Sequence, residues 1–231
     1  MKVEIWSDVM CPFCYIGKRR FEQALARFDH KDNIEVIWKS YQLNPDMVTD
    51  PGKNINQYLA EVKGWTEERA REMNNYVTEM AAGAGLTYHL DKAIVANSFD
   101  AHRLSHMARV KGVQDAAEEQ IFAAYFTEGR NTADHETLAD IAASAGLDRS
   151  EATSMLQSDA YATDVEQDIY EAQQIGVRGV PFFVIDRKYA ISGAQESTTF
   201  LQALTKAWSE SDESKHMEQT NGAVCGPDGC A

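Results

Sequence analysis

The chain has 231 residues, enough for one large domain or two modest ones and enough to bury a core without metal or disulfide staples. With 36 acidic against 22 basic side chains the formal net charge is −14, which argues against nucleic acid and anionic membrane surfaces as partners. No stretch of about 18 apolar residues occurs, so no segment reads as a membrane-spanning helix. The amino terminus enters a strand at once, without a charged and then apolar leader, and a cytoplasmic location is expected.

The first strand is short: Val3 and Ile5 alternate with Lys2 and Glu4, the period of a half-buried extended segment. After a turn come Cys11 and Cys14 with Pro12 between them, then Phe13, Ile16, Phe21, Leu25 and Phe28 at helical spacing. Pro12 is placed like a first-turn proline. Two thiols thus sit where a strand hands over to a helix. Unpaired N–H groups and the positive end of the dipole at a helix start stabilise a thiolate, so Cys11 is expected to fall below the free value of about 8.5. Cys14, one turn further in, is expected to be more buried and to resolve a mixed disulfide formed at an exposed Cys11. Two other readings stay open: half of a zinc site, or two small buried hydrophobes. The strand before the pair and the proline-opened helix after it favour redox chemistry.

Ile34 to Tyr41 reads as a second strand, completing a βαβ start, and the proline- and glycine-bearing stretch 42–53 reads as a loop. From about 54 to 175 the helical period dominates. Thr66 before Glu67 and Glu68 reads as an N-cap, and further helices are expected over 98–110, 116–126, 134–145, 150–156 and 161–175. Strand character returns at 180–185 and 189–191, a hairpin, and a last helix is expected over 196–208. The polar remainder, 209–231, reads as a flexible tail. A single four-stranded sheet built from both ends uses every strand. The expected domains are therefore 1–42 with 176–208, an inserted helical block at 54–175, and the tail.

That order, with C-x-x-C after the first strand, resembles the thioredoxin fold with a large all-helical insertion, and the chain is similar to the DsbA-like disulfide oxidoreductases, in particular their FrnE-type branch. The resemblance is carried by residues 11–17, 97–104, 124–129, 176–185 and 189–195, and it spans essentially residues 2–208. It implies an α/β fold, thiol–disulfide exchange with protein disulfides or dithiols through Cys11 and Cys14, isomerase activity included, and recycling by a small thiol or a thioredoxin-type partner. It also implies that the bond before Pro181 is cis and that Val180 and Pro181 form a substrate-facing wall, where backbone groups of Val180 pair with an extended peptide. On the residues alone, Pro181 would be a trans proline opening a strand. Related kappa-class glutathione transferases and 2-hydroxychromene-2-carboxylate isomerases carry Ser in place of the first cysteine and work with glutathione. That second reading stays open beside the dithiol one.

Cys225 and Cys230 flank Gly-Pro-Asp-Gly, a turn sequence that brings two thiols together. An inert tail, an accessory redox pair exchanging with Cys11/Cys14, and a thiolate metal site are the readings. A zinc module would use all four cysteines. The 17 residues from Trp208 to Cys225 span up to roughly 55 Å when extended, so exchange is within reach. His102 and His106 share a helix face, as metal ligands can, but a packed or solvated face is the expectation because no third ligand is identifiable. Neither G-x-G-x-x-G nor a P-loop pattern is present, so no cofactor is expected and no metal site is assigned. The strongly oxidising relatives have His where this chain has Phe13, which brings neither charge nor hydrogen bond to Cys11. The couple is therefore expected to be less oxidising than theirs; a measured potential near about −120 mV would contradict this.

Overall fold

The computed structural model describes the backbone of residues 1–220 and the side chains of residues 1–211; Cys225 and Cys230 lie outside the described residues. Strand β1 (Lys2–Ser7) leads through helix α1 (Pro12–Ala26) to β2 (Glu35–Ser40). The helical stretch comprises α2 (Ile55–Lys63), α3 (Glu67–Gly83), α4 (Phe99–Val110) and α5 (Gln114–Ala123), then a π-helical turn (Ala124–Glu128), α6 (His135–Ser144), α7 (Arg149–Leu156) and α8 (Ala162–Gln174). A hairpin of β3 (Phe182–Ile185) and β4 (Tyr189–Ser192) precedes α9 (Ser197–Thr220).

The strands form one sheet in the order β2-β1-β3-β4, with β1 parallel to β2 and antiparallel to β3. Both ends of the chain contribute, as the strand count required. Side chains alternate across a strand, so β1 and β3 each divide into two sets. Val3, Ile5, Phe183 and Ile185 lie in one core with Phe21 of α1 and with Phe200 and Leu204 of α9. There the Phe183 ring meets Phe200 at 4.6 Å and Phe21 at 5.6 Å. Trp6 and Val184, on the opposite face, pack with Ala172 of α8 and with Val177.

The helical stretch 54–175 packs in several places: α8 covers the sheet's second face, and Ile55 of α2 with Val77 and Ala81 of α3 joins the main core. Helices α4 to α7 share a separate core, built on Leu104, Ile121, Leu138, Ile141 and Leu156 and joined by Val9 of the turn after β1, with alanines between them that allow close approach. A helical period shows that one face is apolar but not which surface it meets. The last helix is longer than expected, running to Thr220 rather than stopping at Trp208. Residues 209–220 contain neither Gly nor Pro and are rich in Glu and Ser, so nothing breaks the helix where its apolar stripe ends. The tail expected at 209–231 is corrected over those residues.

Edge strand β2 is not left open to solvent. The Gln114 amide reads it as a neighbouring strand would: the Trp38 N–H donates to Oε1 at 3.1 Å and Nε2 donates to the Trp38 carbonyl at 2.9 Å. Asp168 of α8 continues the cover, accepting from the Ser40 N–H at 3.0 Å and from Lys39 Nζ at 2.7 Å. Burial alone would raise the Asp168 carboxyl, but hydrogen bonds from His106, Lys39 and the Ser40 N–H prevail and hold it below the usual carboxylate range. Replacing Gln114 by Ala leaves two buried backbone groups of Trp38 without partners. The expected loss is about 2–3 kcal/mol, read as a lower urea midpoint with an unchanged slope.

Candidate active site

The site starts at the turn between β1 and α1. Asp8, 1% exposed, organises it: its backbone carbonyl accepts from the Cys11 N–H at 3.0 Å. Its carboxylate accepts from the Met10 N–H at 3.3 Å and from the Leu43 N–H at 2.7 Å, tying the turn to the loop after β2. Cys11 is the residue before α1, with φ −86° and ψ 110°, and Pro12 opens the helix as the spacing predicted. Cys14 donates its N–H to the Cys11 carbonyl at 2.9 Å, and both cysteines are free thiols.

Cys14 is wholly buried, as expected. Cys11 is not the exposed thiol the sequence suggested: it is 4% exposed, in a cluster with partly buried Met10, Phe13 and Val180 packed against it. The reason is the direction of its side chain, whose Sγ donates to the Val180 carbonyl at 3.4 Å. The Val180–Pro181 bond is cis. Cys11, Cys14, Val180 and Pro181 are thus brought together from opposite ends of the chain. Gly17, one turn beyond Cys14, makes room for the proline: a Cβ there would lie 2.9 Å from Pro181 Cγ. Burial first, and then the adjacent Cys11 sulfur, push the Cys14 thiol well above its ordinary value.

The back of α1 rests on groups the sequence reading missed. The Tyr15 ring stacks on Phe122 at 5.0 Å, and its hydroxyl donates to Glu119 at 2.7 Å. Lys18, 1% exposed, pairs with Glu22, with Glu119 at 3.0 Å and with Asp115 at 3.4 Å. Burial works against the Lys18 charge, but Asp115, Glu22 and Glu119 outweigh it and hold the ammonium above its ordinary range. Tyr88 donates to the Pro12 carbonyl at 2.7 Å. Only the Asp8 position, a turn-forming residue just ahead of the helix, carried a local signal; the others lie about a hundred residues away in sequence or on a face whose partner was unknown.

The two histidines on α4 are buried, each facing a carboxylate. His106 Nε2 lies 3.1 Å from Asp168 Oδ2 and 3.1 Å from Ser40 Oγ. His102 Nε2 faces Asp8 Oδ1 at 3.5 Å. Among the described residues no three His, Cys, Asp or Glu side chains gather to hold a metal ion.

The arrangement is a dithiol at a helix start beside a cis-proline, one sulfur against the Val180 carbonyl and the other wholly buried. Residues 2–205 match the family described as the DSBA-like thioredoxin domain. The chain is similar to the probable DsbA oxidoreductase SCO1869 of Streptomyces coelicolor: 39% identical, with a TM-score of 0.85, covering 100% of this chain and 98% of that one. It is 27% identical over 210 residues to the uncharacterized protein YwbO of Bacillus subtilis (strain 168), covering 88% of this chain and 95% of that protein. At 16% identity and a TM-score of 0.63, it shares its fold with the cytosolic disulfide reductase DsbM of Pseudomonas aeruginosa, solved with GSH, over 89% of this chain and 98% of that one.

The raised Cys14 thiol has a consequence for stability. The unfolded chain releases this proton above about pH 8.5 while the folded chain keeps it, so the contribution is whole below that pH and is lost as pH rises towards the folded value. The reduced protein should therefore lose up to about 1.4 kcal/mol per pH unit through this group between pH 8.5 and 10. Urea melts of reduced wild type and reduced Cys14→Ala across that range should diverge, the variant showing the flatter profile.

Proposed function

Because the chain belongs to the DSBA-like thioredoxin domain family, whose members are thiol–disulfide oxidoreductases, we propose that it is a cytoplasmic dithiol–disulfide oxidoreductase acting on protein substrates through Cys11 and Cys14. One observation carries this reading above the others. Two free thiols share the first turn of a helix, one against the Val180 carbonyl at 3.4 Å and one sealed beneath it. A structural zinc site or a pair of inert core cysteines has no use for that asymmetry.

In the proposed reaction the Cys11 thiolate attacks one sulfur of a client disulfide. The client S–S bond breaks, a Cys11–client mixed disulfide forms, and the client's other sulfur leaves as a thiolate that takes up a proton. Cys14 then gives up its proton and attacks the Cys11 sulfur. The mixed disulfide breaks, the Cys11–Cys14 disulfide forms, and the client leaves as a dithiol, reduced by the two electrons that the enzyme has lost. A small thiol such as glutathione, or a thioredoxin-type dithiol, returns those electrons. The same steps in reverse oxidise a client, and escape of the mixed disulfide to a second client thiol isomerises it. An extended client backbone would pair with Val180, taking over the carbonyl that the Cys11 thiol uses in the resting state. Cys225 and Cys230 would serve as an accessory pair exchanging with the Cys11–Cys14 disulfide; the turn-favouring Gly-Pro-Asp-Gly sequence between them supports this role.

Insulin reduction by dithiothreitol tests the reading. Wild type should accelerate it, Cys11→Ser should be inactive, and Cys14→Ser should accumulate a mixed disulfide with the client that is visible on a non-reducing gel. Wild-type protein without effect, or Cys11→Ser with full activity, would overturn the assignment.

A further inference from the structure

Tyr88 lies between α3 and α4, 76 positions from Pro12, yet its hydroxyl ends on the Pro12 carbonyl at 2.7 Å. The ring is held firmly. It stacks on Phe126 with centroids 4.7 Å apart, and Tyr15 lies beyond at 6.1 Å. The backbone on either side is pinned to the π-helical turn: the His89 N–H donates to the Phe126 carbonyl at 2.7 Å, and Thr127 Oγ1 donates to the Thr87 carbonyl at 2.7 Å. A buried phenol needs a partner somewhere. What distinguishes this one is that its partner sits inside the C-x-x-C.

The hydrogen bonds of the first turn show what that partner controls. The Cys11 N–H goes to the Asp8 carbonyl, Pro12 has no N–H, and the Cys14 N–H goes to the Cys11 carbonyl. Phe13 supplies the remaining first-turn N–H; in the resting thiol the Cys11 side chain accepts no capping bond, its Sγ being turned to the Val180 carbonyl, so this N–H is left for the thiolate once the thiol proton is gone. That N–H belongs to the same peptide group as the Pro12 carbonyl. A hydrogen bond accepted by the carbonyl polarises the peptide and strengthens its N–H as a donor. Given the dithiol reading above, we propose that Tyr88 is a positioning residue for the redox pair: its hydroxyl, bonded to Pro12, strengthens the Phe13 N–H as a donor to negative charge on the Cys11 sulfur. The segment following α3 thereby tunes the couple through the Pro12–Phe13 peptide. Burial and then the two nearby sulfurs push the Tyr88 phenol well above the usual tyrosine range, so it remains a donor throughout the working pH range.

The test compares wild type with Tyr88→Phe, which keeps the ring stack and loses the donor, and with protein carrying 3-fluorotyrosine at position 88, a stronger donor of nearly the same shape. Iodoacetamide alkylation of reduced Cys11 at pH 7 should slow about three- to fivefold in Tyr88→Phe and quicken with fluorotyrosine. The ratio of reduced to oxidised glutathione that half-reduces the protein should shift in parallel, Tyr88→Phe being the harder to reduce. A purely structural role would not produce opposite effects in the two variants. Rates and equilibria within about 1.5-fold of wild type in both would overturn the proposal. So would faster alkylation of Cys14 together with a lower thermal midpoint, the mark of loosened packing. Should Tyr88→Phe fail to fold, the fluorotyrosine protein decides by itself. Alkylation needs no turnover, so failure of wild type to reduce insulin would remove the enzymatic reading while leaving the effect of Tyr88 measurable.

Discussion

The first turn of α1 is fixed by contacts from three separate parts of the chain, and the rest of the structure is arranged to supply them. Asp8 anchors its start through the Cys11 N–H, Pro181 lies against Gly17 one turn further on, and Tyr88 reaches the Pro12 carbonyl. These contacts give the two sulfurs different surroundings, Cys11 turned to the Val180 carbonyl and Cys14 wholly buried. The sheet supplies Asp8 and Pro181, and the helical stretch supplies Tyr88, so neither part makes the site without the other.

The same division of labour appears in the polar groups. Edge strand β2 would be an open ladder of backbone groups if the sheet stood alone. Gln114 and Asp168 close it from two different helices, and His106, Ser40 and Lys39 complete the network around the Asp168 carboxylate. On the other flank of α1, Lys18 is almost wholly buried among Glu22, Asp115 and Glu119. Such groups add less net stability than apolar contacts of equal size, because desolvation offsets much of their attraction. Removing a single partner is costly, however, since it strands a buried charge or an unpaired backbone group. They fix α1, α5 and α8 in one register against the sheet, which an apolar interface would hold less specifically.

The parts of the helical stretch cover different surfaces. Helix α8 belongs to the sheet, since its Ala172 packs with Trp6 and Val184 and its Asp168 pairs with β2. The α2–α3 pair extends the main core, and α4 to α7 form a bundle with a core of their own. His102 and His106, four residues apart on α4, point from that bundle to Asp8 and Asp168 respectively. Each histidine thereby faces a carboxylate outside the bundle.

Local chemistry in the sequence determined a good deal. The alternation of Val3 and Ile5, the proline after Cys11, the Thr66 cap and the helical period from residue 54 onward placed most elements, because each depends on residues within one or two turns. The Thr66 hydroxyl does accept from the Arg69 N–H at 3.1 Å. The strand count at the two ends of the chain already required one shared sheet, and C-x-x-C at a helix start already pointed to the thiols. What the sequence could not determine was partnership. That α8 covers the sheet, that Cys11 turns to Val180, that Lys18 is buried and that Tyr88 reaches Pro12 are all contacts between segments far apart in the chain. Periodicity shows that a face is apolar or a group polar, but not what it will meet. Only the closed tertiary structure decides that, since it places every buried face and every unpaired N–H, carbonyl and charge at once.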